Sequence, residues 1–204
     1  QMAFSIRDLK RMMKSVKNTG QITRAMEAVS ATKMRKAQAV ALAARPYAEK
    51  SLELLERLSE KTGETYNHWL LEARPVEKTA VVLVTSDKGL CGVLNANVLR
   101  VFERFIKKIV PVSPDIITIG RYGTNYAYRR GYTIAQEYAG VGDIATIEES
   151  RPVSQCILDA YEHKRYDAVY AVYTNFISTL KQEAVVRQML PLTKKSIELL
   201  IEGI

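Results

Sequence analysis

Residues 4–58 read FSIRDLKRMMKSVKNTGQITRAMEAVSATKMRKAQAVALAARPYAEKSLELLERL. Ser5 is a candidate N-cap, with Asp8 three residues on, where an acid is favoured by the helix dipole. Ile6, Leu9, Met13 and Val16 then recur at three and four residues, the spacing of a coiled-coil seam. The same register continues through Gly20, Thr23, Glu27, Ser30, Met34, Ala37, Ala41 and Ala44. Small residues let a second helix approach closely, yet they bury little apolar area. Ile22, Met26, Val29 and Val40 lie on another face. About 50 helical residues span roughly 75 Å, too long for all of them to pack on one small domain. Pro46 falls inside the pattern and is expected to kink the helix or break one turn.

Charge is segregated along the chain. Residues 1–50 carry 11 Lys and Arg against 3 Asp and Glu, and the rest holds 19 of each sign, so the net +8 belongs to the first segment. No apolar run approaches the ~18 residues that span a bilayer. The N-terminus shows no secretory or other targeting pattern. Two cysteines, Cys91 and Cys156, point to a reducing compartment rather than a disulfide scaffold. Two histidines without ligand spacing around them argue against a metal site.

Outward from the helix, the pattern changes. Lys61–Pro75 reads as a connector or short helix. Thr79–Thr85 is a β-branched run suited to a buried parallel strand. Ser86–Gly92 is a tight loop, Val93–Val110 a helix, Asp115–Ile119 a strand, Arg121–Arg130 a short helix and Gly131–Tyr138 a third strand. Gly140–Glu149 forms a loop, and Ser150 is expected to cap a helix with Pro152 in its first turn. Tyr166–Ile177 makes a fourth strand and Glu183–Leu190 an antiparallel fifth. The fold class is therefore α/β: a long coiled-coil-type helix plus a Rossmann-like open sheet of five strands, four mostly parallel and the last antiparallel. The expected divisions are 1–60 (basic helix), 61–76 (connector), 77–192 (α/β domain) and 193–204 (start of a C-terminal region).

Three functions compete on these residues. A nucleotide-binding enzyme would use Gly89-Leu-Cys-Gly92, but neither dinucleotide nor P-loop spacing is present and no acid closes the second strand. Cys91 as a nucleophile has only the distant His163 as a base; it reads better as a small packing residue that Lys88 could activate mildly. A nucleic-acid binder would use the faces Lys10, Arg11, Lys14, Lys17 and Lys33, Arg35, Lys36. Phe4 is the only aromatic before Tyr47, which leaves little for base stacking. An acidic protein surface suits the same cations.

The run from Ile6 to Ala37, together with Arg45-Pro-Tyr47, Thr85-Ser-Asp-Lys-Gly-Leu-Cys-Gly92, Ile119-Gly-Arg121 and Met189-Leu-Pro-Leu192, closely resembles the gamma subunit of rotary (F-type) ATP synthases. The resemblance covers nearly the whole chain, in the family's order. It implies a non-catalytic central-stalk rotor without cofactor or metal, whose N-terminal helix winds with a C-terminal helix inside a ring of alpha and beta subunits. It implies that Arg24, Met26 and Lys33 face the ring, with Arg7, Lys10, Arg11, Arg35 and Lys36 as further outward contacts. Lys88, Leu90 and Cys91 are implied near the beta levers and the epsilon subunit, and the membrane c-ring lies at the foot. Neither nucleic acid nor a direct membrane span belongs to this picture. The expected location is peripheral, on the cytoplasmic side of a bacterial inner membrane or an equivalent coupling membrane. The plant form's inserted cysteine pair has no counterpart before Leu190. The family's long C-terminal helix does not follow Ile204, so a chain truncated before it is expected, with residues 5–40 prone to fray alone.

Overall fold

A computed structural model describes residues 5–62, 68–109, 114–142 and 146–202. The chain divides into two compact units, residues 1–44 and 45–204. One helix, α1 (Ile6–Thr62), runs through the division. Ser5 caps it: its Oγ accepts from the Arg7 N–H, and its carbonyl accepts from Asp8 and Leu9. The expected break at Pro46 does not occur, for α1 continues as α-helix on both sides. A proline removes one backbone donor and crowds one turn, and a helix this long absorbs that loss. Nearby, the Arg45 guanidinium donates to the Phe176 carbonyl at 2.8 Å and ties this turn to the end of a strand.

In the first unit nearly every side chain from Ser5 to Ala44 is exposed, Ala31 and Gln38 excepted. The hydroxyls of Thr19, Thr23 and Thr32 donate to the carbonyls of Ser15, Thr19 and Ala28, four residues back. Of these, Thr23 belongs to the seam, and its hydroxyl is thus satisfied within its own helix.

The second unit is built on a five-stranded sheet of order β3-β2-β1-β4-β5. β1 (Thr79–Val84) is central and parallel to both β2 (Asp115–Ile119) and β4 (Ala168–Phe176), with Val82 opposite Ile117 and Ala171. Residues 80–83 are buried on both faces, which explains an unbroken apolar run rather than an alternating one. β3 (Ile134–Tyr138) extends the parallel set, and β5 (Gln182–Leu190) returns antiparallel to β4. The expected sheet is the one observed: β2 has the expected bounds, β1, β3 and β4 are shorter at their ends, and β5 begins one residue earlier.

Alternation along β1 separates two cores. Ala80 and Val82 join Ile117, Val169 and Ala171 under Tyr161, with Trp69 packed at the margin. Val81 and Leu83 join Ile116 and Val172 under Val98, Leu99 and Phe102. The latter three come from α2 (Leu94–Ile109), and Tyr161 from α4 (Ile147–Glu162). A short α3 (Arg121–Arg130) follows β2, and α5 (Lys194–Glu202) follows β5. The cap expected at Ser150 lies instead at Thr146, whose hydroxyl accepts from the Glu149 N–H while the Glu149 carboxylate accepts from the Thr146 N–H. That reciprocal box satisfies two free donors, whereas Ser150 already donates its N–H to the Thr146 carbonyl inside the helix. Gly63, Tyr66 and Asn67 of the expected connector, and the expected helix end at Val110, lie outside the described residues.

Candidate subunit-contact surfaces

The named residues fall on two surfaces, one in each unit. On α1, Arg7, Lys10, Arg11, Arg24, Lys33, Arg35 and Lys36 are all exposed. Between them stand large apolar side chains with equally little cover: Ile6 is 75% exposed, Met13 71%, Ile22 61% and Met26 49%. Isolated exposed apolar residues are ordinary, but a helix with apolar and cationic side chains interleaved over ten turns presents a recognition surface.

The second surface is the loop after β1. The Ser86 N–H donates to Asn95 Oδ1 at 3.1 Å, Asn95 Nδ2 donates to Ser86 Oγ at 2.8 Å, and Ser86 Oγ donates to the Lys88 carbonyl at 2.6 Å. Asn95 is buried, so the loop is pinned from inside. The tip is turned outward: Lys88 is exposed and Leu90 is 94% exposed. Leu90 has φ of 62°, a left-handed conformation that costs a non-glycine residue about 1–2 kcal/mol. The pinned loop holds this strained leucine outward. Cys91 differs from its neighbours. Its Sγ lies 3.2 Å from Asn95 Nδ2 and 3.7 Å from Ser86 Oγ, so the thiol belongs to the internal network of the loop.

Beside this loop, the start of α3 is filled by the chain's own groups. The Asp87 carboxylate accepts from the Arg121 N–H at 3.0 Å and from the Gly140 N–H at 2.9 Å. Arg121 opens α3, so Asp87 takes the first N–H of this helix start, while the Tyr122 N–H donates to the Ser86 carbonyl. Thr85 Oγ1 accepts from the Gly123 N–H at 2.8 Å and lies 3.2 Å from the Gly120 carbonyl. Gly120 has φ of 95°, and a Cβ there would overlap the Thr85 carbonyl. The glycines of Ile119-Gly-Arg121 and beyond thus serve close backbone packing. Neither histidine serves Cys91: His163 Nδ1 contacts the Asp159 carbonyl, and His68 Nδ1 accepts from the Leu70 N–H with its ring stacked on Trp69. Among the described residues, no three His, Cys, Asp or Glu are placed to hold a metal ion, and no helix is long and apolar enough to cross a membrane.

Sequence reasoning missed the roles of Asp87 and Asn95. Asn95 was legible in principle, as a polar residue in the first turn of a helix after a glycine loop. Asp87 was not, since its two partners lie far along the chain in separate connections.

Comparison with known proteins agrees with these features. The family model described as ATP synthase matches residues 5–202. The ATP synthase gamma chain of Pelotomaculum thermopropionicum is 41% identical over 187 residues, covering 92% of this chain and 65% of that protein. The gamma chains of Delftia acidovorans and Chloroflexus aurantiacus are each 41% identical, over 195 and 197 residues, covering 94% and 95% of this chain and 67% and 68% of theirs. This chain therefore spans about two thirds of the length of these relatives. Among solved structures, the central stalk and c-ring of the Tetrahymena thermophila mitochondrial ATP synthase matches with a TM-score of 0.64 at 20% identity, covering 90% of this chain and 77% of that one; this likeness speaks to the fold. With nearly its whole length matched by the family model, and relatives at 41% identity, the chain belongs to the ATP synthase gamma chain family.

Proposed function

We propose that this chain is the central-stalk rotor subunit of a proton-translocating ATP synthase, coupling rotation to conformational change in a catalytic ring of alpha and beta subunits. The observation that carries this reading is α1 from Ser5 to Ala44, a helix whose apolar and cationic side chains alike stand exposed. Met26 and Arg24 would meet the levers of the beta subunits, with Lys33, Arg35 and Lys36 farther along. Long-range attraction between cations and acidic levers lets one surface meet several equivalent partners in turn without a fitted lock at any of them. In this reading no side chain of the chain performs bond chemistry. Lys88, the strained Leu90 and Cys91 would make the contact below the ring, Cys91 also bonding within the loop. The epsilon subunit and the c-ring would lie at the foot, and the subunit would sit on the membrane's cytoplasmic side, attached through its partners.

The test is Met26→Lys in the assembled enzyme. A cation within about 4 Å of a carboxylate at a partly desolvated contact is worth roughly 4 kcal/mol, enough to turn a passing contact into a station. ATP-driven proton pumping should fall by half or more per ATP hydrolysed, while the subunit still co-purifies with alpha and beta. Undiminished coupling would remove Met26 from the lever contact, and failure of the native chain to co-purify with the ring would remove the rotor reading.

A further inference from the structure

Away from α1 and from the β1–α2 loop, the second unit carries an open groove of about 880 Å³ between α2 and α3. Along its α2 wall stand Arg100, Arg104 and Lys107; along the α3 wall, Arg129 and Arg130. All five are exposed. Arg100, Arg104 and Arg129 each place one guanidinium donor on their own helix, at Asn97 Oδ1, the Arg100 carbonyl and the Asn125 carbonyl. Among the described residues, none of the five forms an ion pair within 4.0 Å. The groove's one acid is Glu103, whose Oε1 already accepts from the hydroxyls of Tyr126 at 2.7 Å and Tyr132 at 3.2 Å. From residue 51 onward the chain has as many acids as bases, so five cations around one engaged carboxylate are a local segregation and not a general excess.

We propose that this groove docks an acidic amphipathic helix of a partner protein, one with carboxylates at i, i+4 and i+7. Arg100, Arg104 and Lys107 have that same spacing, so they form one line of positive charge about 10 Å long on the outer face of α2. A helix laid along the groove would bring its own i, i+4, i+7 acids opposite that line, and Arg129 and Arg130 would meet acids on its other flank. The Tyr122 ring, 41% exposed on the groove wall, supplies apolar surface for the partner's aliphatic side chains. Nucleic acid fits less well. The Arg130 guanidinium lies 5.5 Å over the Tyr126 ring, and the hydroxyl of that ring is held by Glu103, so it is closed to base stacking. A flat lipid surface cannot enter a concave site. The proposal concerns a surface separate from α1 and stands whether or not the rotor reading does.

The experiment uses the full chain and two fluorescent 14-residue peptides of the same Glu, Leu, Ala and Gln composition. One has Glu at i, i+4, i+7 and i+11, and the other is scrambled. At about 0.15 M salt the ordered peptide should bind at least about tenfold tighter than the scrambled one. The double variant R100E/R104E should weaken it by about tenfold or more, while R151E on α4 should change it less than about twofold. Hydrogen exchange on the unaltered chain should show protection by the ordered peptide within Leu94–Ile109 and Arg121–Arg130, which keeps the result independent of how the variants fold. Equal binding of the two peptides, an equal effect of R151E, protection confined to α1, or tighter binding of a single-stranded oligonucleotide would each overturn the proposal.

Discussion

The Asp87 carboxylate accepts from the Arg121 N–H after β2 and from the Gly140 N–H after β3, holding three connections of the sheet together at one point. In Asp87→Asn one oxygen becomes an NH₂ that faces a backbone N–H, leaving a donor opposed by a donor. The expected loss is about 1–3 kcal/mol in urea denaturation, without loss of the sheet's circular dichroism. Tyrosines set a second residue-scale prediction. Burial, then the hydrogen bond to Asp115, pushes Tyr166 up to about 12, and burial, then Glu103, pushes Tyr132 up to about 12. The folded chain keeps these protons while the unfolded chain releases them near 10, so the stabilisation is whole below pH 10 and lost as pH rises towards about 12. The urea midpoint should therefore fall across that window, and Tyr166→Phe should flatten the fall. An unchanged slope in that variant would mean that the hydroxyl titrates as in water. Such ties were beyond sequence reading, because Tyr166 and Asp115 are 51 residues apart and nothing local marks either as the other's partner.

At the scale of elements, legibility followed how far each decision was local. β1 could be read from its own run of β-branched residues, because a strand buried on both faces needs no alternation. α3 could be read to its ends because Gly120 and Gly131 bracket it, the latter at φ of 74°. The start of α4 was misplaced because Ser150-Arg-Pro152 resembles a helix opening, while the stronger reciprocal box of Thr146 and Glu149 stood four residues earlier. At Pro46 the helix is not broken, because a proline's local penalty is small beside the many turns that flank it. Gly20 lies in the small-residue seam of α1, and a Cβ placed there meets nothing within 4 Å. Gly20→Ala should therefore raise the helix content of the isolated chain, by about 1 kcal/mol of local helix stability in circular dichroism. If a second helix packs against this seam in the assembled stalk, the same methyl should lower assembly yield. A variant that gains helix and assembles normally would place the close approach elsewhere on α1.

For the whole molecule, the decisive fact is the distribution of charge: an excess of cations within residues 1–50 and a balance in all that follows. The fold does not require this, since the cations of α1 from Arg7 to Lys36 are exposed and the sheet's cores are apolar. An excess the fold does not need acts instead on encounter with partners. If the proposed partners are right, association of this chain with alpha and beta subunits should be steered, its rate falling about tenfold or more as salt rises from about 0.05 to 0.5 M, where the screening length shrinks below the size of the contact. Replacing Lys33, Arg35 and Lys36 by Gln should slow association at low salt and flatten its salt dependence, with little change in the urea stability of the sheet. Replacing Arg100 and Arg104 by Gln should leave that association rate alone, because the α2–α3 groove is assigned a different partner. Stopped-flow assembly with labelled subunits distinguishes the two sets. An association rate indifferent to salt would mean that exposed apolar residues such as Ile22 and Met26, and not the cations, bring the helix into the ring.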